Sequence, residues 1–147
     1  MTGIVWVALL AVAGLGLGLA ATGNLGALLG GSNLSAYAIA NLAANAGFTG
    51  SDVVTATAIA FAESGGNPSA VGDQSLAPTN GPAIGLWQIN SAKHTTYTQQ
   101  QLMDPQTNAN QAFEIFSAAG ASFAPWTTYN TGAYQSFLNQ ADAAVNA

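Results

Sequence analysis

The sequence predicts a mainly α-helical domain behind a single apolar N-terminal span, and three observations predict it. Residues 4–21 (IVWVALLAVAGLGLGLAA) run for 18 positions with only apolar or small side chains. From Ser35 onward, apolar residues recur at three- and four-residue spacing, the period of a helix with one buried face. One stretch, Gly65 to Ile84, is rich in Gly, Pro, Asn and Ser, carries no helical stripe, and reads as a long loop or small hairpin. Charge follows the same division: the first charged side chain is Asp52, so about a third of the 147 residues are uncharged.

Taken in order, residues 1–22 are expected to be a transmembrane anchor. At about 1.5 Å per residue an 18-residue helix spans about 27 Å, close to a hydrocarbon core of about 30 Å. A cleaved signal peptide competes with this reading, but the Met1-Thr2-Gly3 lead lacks the usual Lys or Arg. Membrane lipid is thus the expected partner of residues 4–21, and the location expected is a single-pass membrane anchorage. The Gly14/Gly18 pair has the spacing that allows helices to pack closely in lipid, which would permit homo- or hetero-oligomers through the anchor. General glycine abundance explains the pair at least as well. Residues 23–34 are glycine-rich and read as a linker.

Residues 35–147 form the folded domain. Ile39, Leu42, Ala43 and Ala46 make one apolar stripe, with Gly47 as the C-terminal cap. Ser51 is expected to cap a second helix carrying Asp52 in its first turn, with Val54, Ala58, Phe61 and Ala62 as its core face. Asp104-Pro105 signals the start of a third, with Ala109, Ala112, Phe113 and Phe116 inward and a stop near Gly120. Tyr134, Phe137, Leu138, Ala141 and Val145 mark the last helix.

Composition closes several classes of function. One Lys and no Arg, with a net charge of −5, leave no basic patch to neutralise phosphates, so nucleic acid is not an expected partner. Zero Cys removes disulfides, thiolate metal sites and a cysteine nucleophile, and the lone His94 cannot build a multi-histidine metal site. No metal and no cofactor are expected. Ser64 has no triad partner beyond that one His.

The informative residue is Glu63. It ends the second helix just before Ser64-Gly65-Gly66-Asn67-Pro68, and Ala56, Ile59 and Ala60 share its face at seven-, four- and three-residue spacing. Desolvation and the negative end of the helix dipole should both raise its pKa, as a general acid at neutral pH requires. A solvated glutamate at a frayed helix end accounts for it equally until its surroundings are considered.

Those surroundings carry a resemblance. Ile59-Ala60-Phe61-Ala62-Glu63-Ser64 with Asn67-Pro68, Ile84-Gly85-Leu86-Trp87-Gln88-Ile89, Asp104-Pro105 through Asn108-Ala109 to Gly120, and Tyr129-Asn130 with Gly132 occur in one order. Over about residues 53–138 the chain resembles the soluble lytic transglycosylase family of the lysozyme-like superfamily. The resemblance implies a lysozyme-like fold and cleavage of the β-1,4 bond between N-acetylmuramic acid and N-acetylglucosamine, leaving a 1,6-anhydromuramic end. It implies that Glu63 is the catalytic acid/base, that Ser64 follows it in the substrate groove, that Gln88 faces it across that groove, and that Tyr129 approaches its carboxylate. Peptidoglycan glycan strands are then the expected partner.

Other polar and aromatic residues rank lower. Trp87 and Trp126 offer faces for sugar stacking, although core packing explains each at least as well. Asn90 and Asn130 offer groups for N-acetyl recognition, and local turn bonding explains them about equally. Lys93 and His94 read as surface residues without a role. Hydrolytic glycosidases normally need a second carboxylate. Asp52 lies about 17 Å along the helix from Glu63 at 1.5 Å per residue. Asp104 reads as a cap, Glu114 shares a polar face with Asn110 and Ser117, and Asp142 lies on the last helix. Asp73 alone remains, so a hydrolytic muramidase using Asp73 is the alternative to a transglycosylase working with Glu63 alone. A non-catalytic glycan-binding or structural membrane protein is the third reading. The family pattern is departed from at Gln74 to Pro82, which reads as an insertion, and in the acidic balance of the chain. A membrane anchor suits a phage virion or a bacterial envelope component that cuts the wall locally.

Overall fold

The computed structural model describes residues 32–72 and 81–147, so the expected anchor, most of the expected linker, Asp73 and most of the expected insertion lie outside the described residues. Among the described residues no helix is long and apolar enough to cross a membrane.

Helix α1 (Ala36–Ala46) begins where the Ser35 hydroxyl accepts the Ala38 N–H, and ends at Gly47, whose φ of 123° only glycine adopts readily. Its stripe buries Ile39, Leu42 and Ala43. Helix α2 (Ser51–Ser64) departs from expectation at both its start and its face. Its N-cap is Gly50, with φ 55° and no side-chain bond, so Ser51 is the first helical residue rather than the cap. The buried residues are Val53, Ala56, Thr57, Ala58, Ile59 and Ala60, whereas Val54, Phe61 and Ala62 are half-buried. The reason is packing: α1, the helix Leu138–Val145 and the segment after Thr127 all press on α2, so it sinks on the face carrying Ala56, Ile59 and Ala60. That is the face that carries Glu63.

After Gly65, a left-handed cap, the chain forms a small antiparallel arrangement instead of an open loop. Strand β1 (Ala83–Ile84) pairs with β2 (Ile89–Asn90), with Ala83 opposite Asn90 and Ile84 opposite Ile89, and Val71 bridges to Ile84 on the other edge. The hairpin turn is held from behind by Asn108, fully buried on α4 (Pro105–Ala118). Its Oδ1 accepts the Trp87 N–H at 2.9 Å, and its Nδ2 donates to the Ile84 and Leu102 carbonyls at 2.9 Å each. A buried amide is tolerated only when satisfied in this way. Helix α4 starts at Asp104, whose carboxylate accepts both the Thr107 N–H and hydroxyl, with Pro105 at its first position.

A one-turn helix, α3 (Gln99–Leu102), precedes it and was not expected. The Thr98-x-x-Gln101 capping box that starts it is nonetheless present in the sequence. Short α5 (Thr127–Asn130) was likewise not expected. The last helix is divided: Ala133–Phe137 is 3-10, and only Leu138–Val145, α6, is α-helical. Gly132, at φ 79°, brings the chain into this tighter turn, and Ala141 is the fully buried residue of α6. The core joins α1, α2, α3, α4 and the hairpin through Ile39, Ile59, Leu102, Ala109, Ile84, Leu86 and Trp87. An aromatic group of Phe48, Phe113, Phe116 and Phe123 closes one end of it.

Candidate active site

Glu63 is placed by the last turn of α2. Its carboxylate emerges into an open cleft of about 390 Å³, where the end of α2, β2 and the turn after it, Ile115 of α4 and the segment Pro125–Thr128 meet. Ala58, Ile59 and Ala60 in the turn before it are fully buried. Burial is the largest influence on Glu63 and pushes its pKa above the usual carboxylate value. Thr128 opposes the shift: its hydroxyl donates to Glu63 Oε1 at 2.7 Å, and its backbone N–H also faces the carboxylate. This N–H lies in the first turn of α5, where amides have no partner within their own helix. Burial outweighs both bonds.

Gln88 and Asn90 line the same cleft. Gln88 sits at φ 46°, a left-handed conformation unusual for a side-chain-bearing residue. Its amide nitrogen donates to the Gly85 carbonyl at 2.9 Å and to the Ala70 carbonyl at 3.3 Å, so it ties the hairpin turn to the segment before β1. The Asn90 side chain accepts the N–H groups of Ala92 and Lys93 at 3.0 Å each. It therefore folds the chain back immediately after β2, which is local turn bonding at the edge of the cleft.

Of the other residues singled out by the sequence, Trp126 lines the cleft and the rest lie outside its lining. Trp87 is almost completely buried, its indole N–H donating to the Ala56 carbonyl at 2.9 Å within α2. The Trp126 indole N–H in turn donates to the Trp87 carbonyl at 3.0 Å, and Trp126 forms part of the cleft lining. These two tryptophans join α2, the hairpin and the Pro125–Thr128 segment. The Ser64 hydroxyl is turned back onto the Ala60 carbonyl at 2.9 Å. The Tyr129 ring packs against Phe123 and Tyr134, with centroids 5.7 and 5.0 Å away, so the neighbouring Thr128 makes the hydrogen bond to Glu63. Asn130 is exposed and donates to the Ala124 carbonyl at 2.8 Å.

Three residues that sequence reasoning passed over belong to the cleft: Thr128, Lys93 and His94. Lys93 and His94, read as surface positions without a role, are the only cationic side chain and the only imidazole of the chain. Burial and the neighbouring Lys93 charge both lower the pKa of His94, which keeps it neutral at neutral pH. No signal near Thr128 pointed to Glu63, since 65 residues separate them.

Among the described residues, Glu63 is the carboxylate that lines the cleft, and no cluster of three metal-ligating side chains occurs. A carboxyl whose pKa is raised by burial, beside a solvent-open cleft, can donate a proton to a bound oxygen and take it back. The lysozyme-like domain family matches residues 40–128, a span that holds most of α1, Glu63, the hairpin, α4 and Thr128. No curated protein and no solved structure matches the chain. With more than half of its length covered by that match, the chain belongs to the lysozyme-like domain family, whose glycan-cleaving members act on peptidoglycan.

Proposed function

We propose that this protein is a peptidoglycan lytic transglycosylase in which Glu63 acts without a second carboxylate, held near its substrate by a membrane anchor in residues 4–21. The observation that carries the reading is the Glu63 carboxyl itself, raised in pKa by burial, bonded to Thr128 at 2.7 Å and open to the cleft. Glu63 protonates the oxygen of the bond between N-acetylmuramic acid and N-acetylglucosamine as that bond breaks. The acetamido group of the muramic residue assists at C1 as the leaving sugar departs. The Glu63 carboxylate then takes the proton of the 6-hydroxyl while that oxygen bonds to C1. A 1,6-anhydro end forms, the proton returns to Glu63, and no water is consumed.

Mass spectrometry of the muropeptides released from purified sacculi by the full-length chain tests this. Anhydro-ended products are expected, and Glu63→Gln is expected to reduce their release by about 100-fold or more, the scale of general acid catalysis. Reducing ends would mean hydrolysis and overturn the transglycosylase reading. Full release by the Glu63→Gln variant would overturn the role of the glutamate.

A further inference from the structure

The chain has one cationic side chain, and it lies in the cleft with Glu63. The net charge is −5, so an anionic polymer is repelled by the protein as a whole. Of the acids among the described residues, Asp52, Asp104, Glu114 and Asp142 lie off the cleft, and Glu63 alone lines it. The backbone that carries Lys93 is also held in position. The Lys93 N–H is fixed to Asn90 Oδ1 at 3.0 Å, the His94 N–H to the Asn90 carbonyl at 3.0 Å, and the Ser91 hydroxyl to the Pro82 carbonyl at 3.0 Å. Lys93 and His94 both line the cleft, and the Lys93 charge adds to burial in lowering the His94 pKa.

We propose that Lys93 is a specificity residue that receives a carboxylate carried on the 3-O substituent of muramic acid, with His94 beside it. This rests on the peptidoglycan reading above and narrows it, because an uncharged glycan offers no such group. The carboxylate has two sources, the lactyl ether itself or an acidic group of the peptide stem attached to it. Either would meet a point charge with three donors.

The test measures binding without turnover, using the full-length Glu63→Gln chain. The probes are a peptide-free tetramer of alternating N-acetylglucosamine and N-acetylmuramic acid, its stem-bearing counterpart, and neutral chitotetraose. Because His94 is the only histidine, its imidazole gives a single NMR signal as reporter. At low salt the carboxylate-bearing glycans are expected to bind about fivefold more tightly than chitotetraose, to shift the His94 signal, and to lose the margin as salt screens it. Adding Lys93→Gln is expected to abolish the preference, and Lys93→Arg to restore most of it. Preference for the peptide-free tetramer would identify the lactyl carboxylate as the ligand, and preference for the stem-bearing one the peptide. Equal binding of all three, or a preference that survives Lys93→Gln, overturns the assignment while leaving glycan recognition intact. No binding of any probe by a chain whose circular dichroism shows it folded overturns the peptidoglycan reading as well.

Discussion

Two influences set the proton affinity of the candidate acid, burial and Thr128, and they act in opposite directions. Burial of Glu63 disfavours its anion, while the Thr128 hydroxyl and N–H favour it, and the sum lies on the side of burial. Thr128→Val keeps the shape of the side chain and removes the hydroxyl donor. With one bond to the carboxylate lost, the Glu63 pKa rises further. Glu63 must be protonated to act as the acid, so activity falls as pH rises through its pKa. In Thr128→Val that alkaline limb is expected to move to higher pH, read from the pH profile of kcat/KM on sacculi. An unmoved limb would show that the hydroxyl does not bond the carboxylate in the working enzyme.

The hairpin and α4 are joined by a contact that admits no side chain at one position. Gly85 stands at φ 79°, and a Cβ there would collide with Asn108 Nδ2 and lie 2.6 Å from the Leu102 carbonyl oxygen. Gly120 has a similar φ of 76° with nothing within 4 Å of the same point. The two glycines separate backbone strain from collision. Gly120→Ala meets only the left-handed backbone, about 1–2 kcal/mol. Gly85→Ala adds disruption of the buried Asn108 bonds, about 1–3 kcal/mol more. For a domain of this size that difference is expected to lower the thermal midpoint by about 5–15 °C beyond the Gly120→Ala effect, followed by circular dichroism. Equal midpoints would mean that α4 yields to the hairpin rather than clamping it. Because Gln88 and Asn90 leave this same hairpin for the cleft, loss of the clamp should also reduce glycan cleavage.

The molecule divides its charge as sharply as its hydrophobicity. Every charged side chain lies at or beyond Asp52, and the 18-residue apolar run precedes it. An acidic enzyme on an anionic wall has no long-range attraction to bring it to its substrate, and an anchor would supply proximity instead. The full-length chain is therefore expected to float with neutral lipid vesicles in a density gradient. Replacing Leu10 and Leu15 together by Lys places two charges inside the run, each costing about 2.5–3.5 kcal/mol at the centre of a membrane helix. That variant is expected to remain at the bottom, and flotation unaffected by it would remove residues 4–21 as the anchor.

What the residues determine by themselves is local. Ser35 and Gly47 bound α1, and Asp104-Pro105 starts α4, because these caps are hydrogen bonds made within a turn and legible within a few positions. The partly desolvated setting of Glu63 was legible for the same reason, since Ala56, Ile59 and Ala60 reach its face through helical spacing alone. At α2 local signals misled: Ser51 has the chemistry of a cap, and Val54 and Phe61 the hydrophobicity of a core. Gly50 holds the cap position, and the neighbouring elements bury a different face. Tertiary packing alone decided that Trp87 and Trp126 are internal ties and that Lys93 and His94 line the cleft. It also decided that Thr128, 65 residues from Glu63, holds its carboxylate. A hydrogen bond across such a separation depends on how whole helices settle against one another, and no periodicity within a single helix encodes that distance.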